Sequence, residues 1–217
     1  MDLLFPPRCV ACGHDGEVLC DACRASLRTV SEPRCALCGA PTAWAVARCR
    51  ECAGRRLRFD SARAGVLYLG PVRPLMRAWK ERGLRRAADL AAETVVARIA
   101  IPTADVVTPV PPDAVRQLAR GRHPAVELAG ALGDRWGLER ADLLARSGGG
   151  RRQTGLGRAD RAGNVRNAFV ARDAVGQRVV LVDDVYTTGA TASAAASALK
   201  RAGAASVHVV TFARTVR

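Results

Sequence analysis

The stretch from residue 179 to residue 200 constrains the fold more than any other part of the chain. Residues 179–182 read Val-Val-Leu-Val, and such an unbroken aliphatic run is typical of a strand buried on both faces. The alanine-rich residues 192–200 have the pattern of the helix that follows it. A buried strand that leads directly into a helix is characteristic of a mostly parallel sheet flanked by helices, so we predict an α/β fold.

The turn between this strand and this helix combines acidic residues with hydroxyl groups. Asp183 and Asp184 follow the strand, where adjacent side chains point to opposite faces, so one carboxylate can reach sugar hydroxyls while the other faces a metal ion or an inner loop. The next residues offer backbone N–H groups at a helix start, which favours a phosphate. They are Thr187, Thr188, Gly189, Ala190 and Thr191. A ribose 5-phosphate presents both features; the alternative is that these residues only cap the helix.

All eight cysteines fall in the first quarter of the chain, in four Cys-x-x-Cys pairs. Two sulfurs at this spacing can close on one ion, so eight ligands predict two structural, tetrahedral zinc (Zn²⁺) sites. A disulfide framework is disfavoured without a secretion signal, and a redox motif needs one pair alone. We expect pairing in chain order, and spacing leaves an interleaved arrangement open. The predicted ligands are Cys9 and Cys12, Cys20 and Cys23, Cys35 and Cys38, and Cys49 and Cys52.

The net charge of +14 exceeds what solubility requires. It predicts polyanionic partners, which include nucleic acid, phosphorylated metabolites and acidic membrane surfaces. The first seven residues lack the basic start and the long apolar run of a signal peptide, and no later apolar run reaches transmembrane length. We therefore expect a cytoplasmic protein without a transmembrane segment.

Shorter patterns predict the remaining elements. A helical pattern from residue 72 to residue 100 is interrupted at Gly83, and Pro124 suits the first turn of a helix that ends near Gly133. A strand that starts at residue 105 runs into a proline-stiffened loop at residue 112. Further strands are predicted at residues 66–69, 141–145 and 207–212, and residues 168–170 are expected to resume the sheet.

Two basic segments predict contacts with anions. Arg73, Arg77 and Lys80 recur at helical spacing, which fits either a solvated helix surface or a face for phosphates. Residues 146–164 are rich in glycine and arginine, which fits either a disordered insertion or a mobile lid. The excess of arginine in this second segment favours a lid that closes over an anion.

The chain resembles the ComF family of competence-associated proteins, in which a cysteine-rich zinc module precedes a type I phosphoribosyltransferase-like domain. The resemblance extends from end to end and implies a double zinc ribbon over residues 1–58 and the phosphoribosyltransferase-like domain over residues 59–217. Besides the cysteine pairs and the acidic turn, its marks are Tyr68, Gly70, Pro71, Lys80, the turn at residues 109–111, Gln153, Leu156, Arg161, Asn164, Val165, Ala168 and Phe169.

The resemblance also implies roles for individual residues. Asp183 and Asp184 would be the catalytic carboxylates that hold the ribose hydroxyls of phosphoribosyl diphosphate (PRPP), with Mg²⁺ as a cofactor, and residues 187–191 would wrap the 5-phosphate. Basic residues after the 109–111 turn and in the lid would hold the diphosphate; the candidates are Arg116, Arg120, Arg152 and Arg161. Residues 120–124 read Arg-Gly-Arg-His-Pro where the family usually has Arg-Gly-Phe-Asn-Gln, so ligand or acceptor binding would differ here.

Two hypotheses about function follow. The first is a PRPP-binding phosphoribosyltransferase-domain protein linked to DNA uptake and natural competence, with the DNA-uptake machinery as a partner and a glycosyltransferase reaction if it is active. The alternative is a non-catalytic protein that binds single-stranded DNA and retains a nucleotide-sensing pocket. The basic segments favour the alternative, whereas an aromatic content of 4% counts against base stacking and leaves Trp44, Trp79 and Trp136 as the stacking candidates.

Overall fold

A parallel sheet with helices against both faces forms the centre of the molecule. The computed structural model describes residues 8–112, 123–147 and 168–216. Among these residues, no helix is both long and apolar enough to cross a membrane. The helices are α1 (Asp21–Ala25), α2 (Val72–Arg82), α3 (Arg86–Val96), α4 (Pro124–Trp136) and α5 (Ala190–Arg201). The strands are β1 (Ser61–Leu67), β2 (Val106–Pro109), β3 (Glu139–Arg140), β4 (Leu144–Arg146), β5 (Phe169–Ala171), β6 (Arg178–Tyr186) and β7 (Ser206–Arg214).

Strand β6 lies at the centre of the main sheet, whose order is β1-β7-β6-β2-β3. Every neighbouring pair in this sheet is parallel. Val179, Val180, Leu181 and Val182 expose no surface, so the predicted strand is buried on both faces. The predicted α/β fold, a mostly parallel sheet flanked by helices, is confirmed.

The two faces of the sheet have separate cores. Val180 and Val182 belong to a cluster that includes residues of α2, α3 and α4, whereas Val179 and Leu181 pack with α5. This division follows from strand geometry, because successive side chains point to opposite faces. Strand β6 is therefore enclosed by helices on both faces and by β2 and β7 at its sides.

Two of the predicted strands lie outside the main sheet. β4 and β5 form a separate antiparallel pair, so the prediction that residues 168–170 resume the sheet is wrong. The strand predicted at residues 141–145 is confined to Leu144–Arg146. The fifth strand of the main sheet is instead β3, whose two residues are charged and exposed. So short and polar an edge strand carries no apolar alternation, which is why its pattern does not reveal it.

The predicted end of α4 at Gly133 is also wrong, because the helix continues to Trp136 and ends at Gly137, whose φ is +64°. A Cβ atom at position 133 would lie 3.0 Å from the carbonyl oxygen of Leu138. Gly133 therefore allows the returning chain to pass close to the helix. The break predicted at Gly83 is confirmed between α2 and α3. The first strand covers Ser61–Leu67 instead of residues 66–69, and the last extends over Ser206–Arg214.

The cysteine sulfurs form two groups in chain order, and within each group they lie within 4.8 Å of one another. The Sγ atoms of Cys12 and Cys20 are 3.6 Å apart, as are those of Cys38 and Cys49. Four sulfurs about 2.3 Å from one tetrahedral zinc ion would lie roughly 3.8 Å apart, so the geometry fits two zinc sites. The first zinc site is Cys9, Cys12, Cys20 and Cys23, and the second is Cys35, Cys38, Cys49 and Cys52.

Backbone N–H groups surround the leading sulfur of each site. Burial opposes the ionisation of Cys9 and Cys35, but these N–H groups outweigh it and lower the pKa of Cys9 to about 6 and the pKa of Cys35 to about 7. The N–H of Cys49, for example, donates to Cys35 Sγ over 3.3 Å. Zinc binds the thiolate rather than the thiol, and these N–H groups favour the thiolate form of Cys9 and Cys35.

The two zinc sites lie against opposite faces of the sheet. Cys9 packs in the core of α2 and α3, whereas Cys35 packs in the core of α5. Between the sites, Thr29 forms an antiparallel bridge with Val66 of β1. The cysteine-rich segment therefore straddles β1 and covers a sheet edge that would otherwise be open to pairing with another chain. The domain boundary after residue 58 stays a prediction.

Replacing Leu181 with alanine should destabilise the protein strongly. The side chain is fully buried in the central strand, and such a truncation costs about 2–5 kcal/mol of unfolding free energy because it leaves a cavity. Val175→Ala is the control, because Val175 is 74% exposed and its loss should change stability by no more than about 0.5 kcal/mol. Urea unfolding of the zinc-loaded protein, followed by circular dichroism, measures the stability of both variants. Equal unfolding midpoints for the two variants would contradict the buried position of β6.

The purified protein should contain about two zinc ions per chain, because each structural site needs four ligands. Cys20→Ser and Cys52→Ser each remove one ligand from a different site, so each variant should retain about one ion. Elemental analysis by mass spectrometry measures the content directly. One ion or none in the unmodified protein would overturn the two-site assignment.

Candidate functional site

The carboxyl edge of the main sheet brings together the acidic pair and the start of α5. Strand β6 continues through Asp183 and Asp184 to Tyr186. Residues 187–191, which we call the threonine-rich loop, follow at once, and α5 begins within them at Ala190. The residues predicted to bind the ribose and those predicted to bind the phosphate therefore lie next to one another along one short turn.

The threonine-rich loop depends on Gly189, which has a left-handed φ of +71°. A Cβ atom there would lie 2.3 Å from the hydroxyl oxygen of Tyr186, so a larger residue does not fit. Thr187, Ala190 and Thr191 are exposed. The first N–H groups of a helix lack intrahelical acceptors and carry the positive end of the helix dipole, so this open helix start can receive an anion.

Thr188 supports the same turn from within. Its side chain is half-buried, and its Oγ1 accepts the Ala190 N–H over 3.3 Å. The carbonyl oxygen of Gly189 accepts the Ser193 N–H over 2.8 Å. The loop is thus held by its own hydrogen bonds while its outer groups face solvent.

Lys80 forms an ion pair with Asp184. Its Nζ atom, near the end of α2, lies 2.6 Å from Asp184 Oδ2, and Asp184 is 8% exposed. Burial by itself would raise the pKa of Asp184, but the Lys80 ammonium and the charge of nearby His123 bring that pKa below its usual range. The pair therefore holds Asp184 as a carboxylate.

The pKa of Asp183 is shifted in the opposite direction from that of Asp184. Part of the Asp183 side chain remains accessible, and its Oδ1 accepts the backbone N–H of Asp184 over 2.9 Å. The dense protein around its carboxyl group and the neighbouring Asp184 carboxylate raise the pKa of Asp183 well above its usual range. Two adjacent acids with different affinities for protons are suited to binding a cation or ligand hydroxyls, which relieve their repulsion.

The turn at residues 109–111 reaches the same edge of the sheet. Pro109 pairs with Val182 of β6, and the Val110 N–H donates to the Val182 carbonyl over 2.8 Å. Nearby, Arg146 Nε donates to the Pro111 carbonyl over 3.1 Å. The segment that precedes the predicted diphosphate loop therefore lies beside the residue before the acidic pair, and the first residue of the predicted lid contacts that segment. The candidates Arg116, Arg120, Arg152 and Arg161 lie outside the described residues, and their roles stay predictions.

Lys80 departs from the basic face predicted for α2. Arg73 and Arg77 are exposed, whereas Lys80 turns toward Asp184. One feature of the sequence could have distinguished Lys80 from the arginines of α2. Lys80 and Lys200 are the only lysines in a chain that otherwise uses arginine. Both form ion pairs with aspartates.

The three tryptophans differ in how much of each ring is exposed. Trp79 lies in the core, where its Nε1–H donates to a carboxylate oxygen of Glu127 over 2.7 Å, and Trp136 is half-buried. Trp44, in the second zinc-site segment, is 71% exposed. Of the predicted stacking candidates, Trp79 is therefore excluded and Trp44 is the one with an open ring.

Two family models match the chain. The double zinc ribbon domain matches residues 1–53, which include all eight cysteines. The phosphoribosyl transferase domain matches residues 118–216, which include the acidic pair and the threonine-rich loop. The predicted zinc module and the predicted phosphoribosyltransferase domain are both confirmed by these matches.

Solved structures resemble part of the chain. Glutamine phosphoribosylpyrophosphate amidotransferase from B. subtilis, complexed with ADP and GMP, is 27% identical over 58% of this chain and 26% of its own, with a TM-score of 0.44. TT1426 from Thermus thermophilus is 23% identical over 61% of this chain and 83% of its own, with a TM-score of 0.35. The matched region is about a quarter of the amidotransferase.

Two curated relatives match nearly the whole chain. Competence protein F from Haemophilus influenzae is 28% identical over 97% of this chain and 98% of its own length. DNA utilization protein YhgH from Escherichia coli is 28% identical over 95% of this chain and 94% of its own length. These matches run through both the zinc ribbon and the phosphoribosyltransferase domain, so the chain is similar to these two proteins along nearly its whole length, and the predicted resemblance to the ComF family is confirmed.

Proposed function

We propose that the chain binds PRPP at the carboxyl edge of its main sheet. The observation that carries this proposal is the position of Asp183 and Asp184 directly before an open, threonine-rich helix start. Carboxylates accept hydrogen bonds from ribose hydroxyls, and unpaired N–H groups at a helix start bind a phosphate. PRPP carries both groups on one sugar, and its diphosphate would lie toward residues 109–111.

Each part of the site would have a separate task in this complex. The threonine-rich loop would hold the 5-phosphate through its backbone N–H groups and the hydroxyls of Thr187 and Thr191. Asp183 and Asp184 would orient the ribose, and Lys80 would supply a cation beside Asp184. Mg²⁺, held by the two carboxylates with oxygens of the ligand, would neutralise charge on the diphosphate.

Phosphoribosyl transfer is the reaction that such a complex would serve. The bond between the ribose anomeric carbon and the diphosphate breaks as the bond to an acceptor forms, so negative charge builds on the leaving diphosphate. The protein contributes by fixing the sugar and by placing positive groups around that charge. The names of the two full-length relatives refer to competence and to DNA utilization, and we propose a role in DNA uptake for this chain too, in the cytoplasm, where cysteines stay reduced for zinc.

Asp184→Asn should weaken PRPP binding by about 10- to 150-fold, which corresponds to the ~1.5–3 kcal/mol of one charge-assisted hydrogen bond. Asp183→Asn should act in the same direction, and Thr188→Tyr should block the phosphate seat. Isothermal titration calorimetry of the zinc-loaded protein, with and without Mg²⁺, measures the affinity.

Asp105→Asn is the matched control for these variants. Asp105 is also paired with a basic residue, Arg178, but it lies at the opposite, amino edge of the sheet. Its replacement should leave PRPP affinity unchanged. Unchanged affinity in the Asp183, Asp184 and Thr188 variants as well would show that this loop is not the site.

The exposed arginines of α2 favour a second function, the binding of single-stranded DNA. Arg73 and Arg77 are exposed, and Glu81 is the acid that pairs with Arg77, at 3.0 Å. The segment after α2 adds further exposed arginines and no acid before Asp89. Contacts of this kind neutralise phosphates without reading bases, so we expect little sequence preference.

Affinity for a labelled oligonucleotide should fall steeply with salt. For roughly four neutralised phosphates, the slope of log affinity against log salt would be about −3 on a single strand. Replacing Arg73 and Arg77 with alanine should make the slope shallower by about 0.7 per lost contact. Fluorescence anisotropy gives these slopes, with Arg201→Ala on α5 as the control. Salt-insensitive binding that depends on Trp44→Ala instead would indicate a stacking site.

A further inference from the structure

A buried arginine lies between the second zinc site and the threonine-rich loop. Arg214 ends strand β7 and stands opposite Tyr186 of β6 in the sheet register. Its side chain is 1% exposed. A guanidinium is always charged, so a buried one needs partners that satisfy it.

Its hydrogen-bonding partners come from the second zinc site. One Nη atom donates to the carbonyl oxygen of Cys38 over 2.6 Å, and the other lies 3.2 Å from Glu51 Oε2. Cys38 is a predicted ligand, and Glu51 lies between the ligands Cys49 and Cys52. Both partners are therefore held in place by the segment that would close around the ion.

The other side of Arg214 faces the candidate site. Its guanidinium carbon lies 5.2 Å from the centroid of the Tyr186 ring, a cation–π contact. The Tyr186 hydroxyl in turn crowds Gly189, where a Cβ atom would come within 2.3 Å. The residue after Arg214, Thr215, donates its N–H to the Tyr186 carbonyl over 3.0 Å. A continuous path of contacts thus runs from the zinc site to the turn of the threonine-rich loop.

The second zinc site is also docked tightly on the sheet beside this path. A Cβ atom on Gly39 would lie 2.5 Å from the Ala62 carbonyl oxygen, so the cysteine-rich chain touches β1 directly. The N–H of Arg58 donates to Ser193 Oγ in the first turn of α5, over 3.1 Å. The first zinc site lies on the other face of the sheet, where Arg24 pairs with Glu93 of α3 at 3.5 Å.

We propose that Arg214 is a positioning residue, through which closure of the second zinc site sets the conformation of the threonine-rich loop. When the site is closed, Cys38 and Glu51 fix the guanidinium, the guanidinium fixes the Tyr186 ring, and the ring supports Gly189. When the site is open, the buried charge loses its partners and the ring loses its support. The consequence for PRPP affinity rests on the proposed function, whereas the consequence for loop order does not.

Hydrogen–deuterium exchange tests loop order without a ligand. Cys52→Ser opens the second zinc site and Cys20→Ser opens the first, and each should cost one zinc ion. Amides of residues 187–193 should exchange at least about fivefold faster in Cys52→Ser, as expected for an ordinary coupling between sites, and at the unmodified rate in Cys20→Ser. The amides of residues 106–108 in β2 are the internal reference, because faster exchange there would indicate that the whole protein has loosened. Equal exchange of the loop in both variants would overturn the proposal.

Zinc-loaded Arg214→Met and Glu51→Gln test the path with both metal sites filled. Both should keep two zinc ions, speed exchange of residues 187–193 and weaken PRPP binding by roughly fivefold or more. Glu93→Gln is the matched control, because Glu93 pairs with Arg24, which directly follows the ligand Cys23 of the first zinc site. This variant should change neither the exchange of residues 187–193 nor the affinity for PRPP. If Arg214→Met speeds exchange throughout the protein, the exchange of residues 187–193 in Glu51→Gln decides whether the path exists.

The two proposals can fail separately. Absence of PRPP binding by the unmodified protein would refute the proposed function, and the exchange rates would still decide whether Arg214 links zinc to the loop. Normal PRPP binding in Arg214→Met and Glu51→Gln, with unchanged loop exchange, would refute the positioning role and leave the proposed function standing.

Discussion

The enclosure of strand β6 on every side is the constraint on which the rest of the structure depends. Residues 179–182 expose no surface, so the charged residues of the strand lie before and after this run and need partners there. At the amino end, hydrogen bonds from Arg178 lower the pKa of Asp105 to about 2. At the carboxyl end, Lys80 pairs with Asp184 at 2.6 Å. The strand that organises both cores thereby also fixes the place of the site.

The sequence predicts those parts of the fold that are encoded locally. The aliphatic run of β6, the acidic turn and the cysteine pairs each lie within a few residues, and their periodicity or spacing has one main interpretation. The edge strand β3 and the pair β4–β5 are two or three residues long, too short for any period. Lys80 pairs with Asp184 and Arg214 with Glu51 across long separations, so only the folded chain reveals which charges meet.

The cysteine-rich segment compensates for what the sheet lacks at β1. That strand is an edge of the sheet, and the chain around Thr29 pairs with it at Val66. A segment so poor in large apolar residues gains little from burial alone, so metal binding must supply much of its folding free energy. By placing one zinc site on each face, the segment closes the edge and extends both cores at once.

Zinc held by four thiolates has no open coordination position, so neither metal site can act on a ligand directly. The second site still has a route to the candidate site, because the oxygens that accept hydrogen bonds from the two Nη atoms of Arg214 belong to its own loops. A buried guanidinium tolerates little displacement, since each lost partner leaves charge in a poorly solvated place. The position of Arg214 therefore depends on a closed metal site, and the Tyr186 ring depends on Arg214. On this physical basis a closed metal site can govern a neighbouring binding loop through position alone.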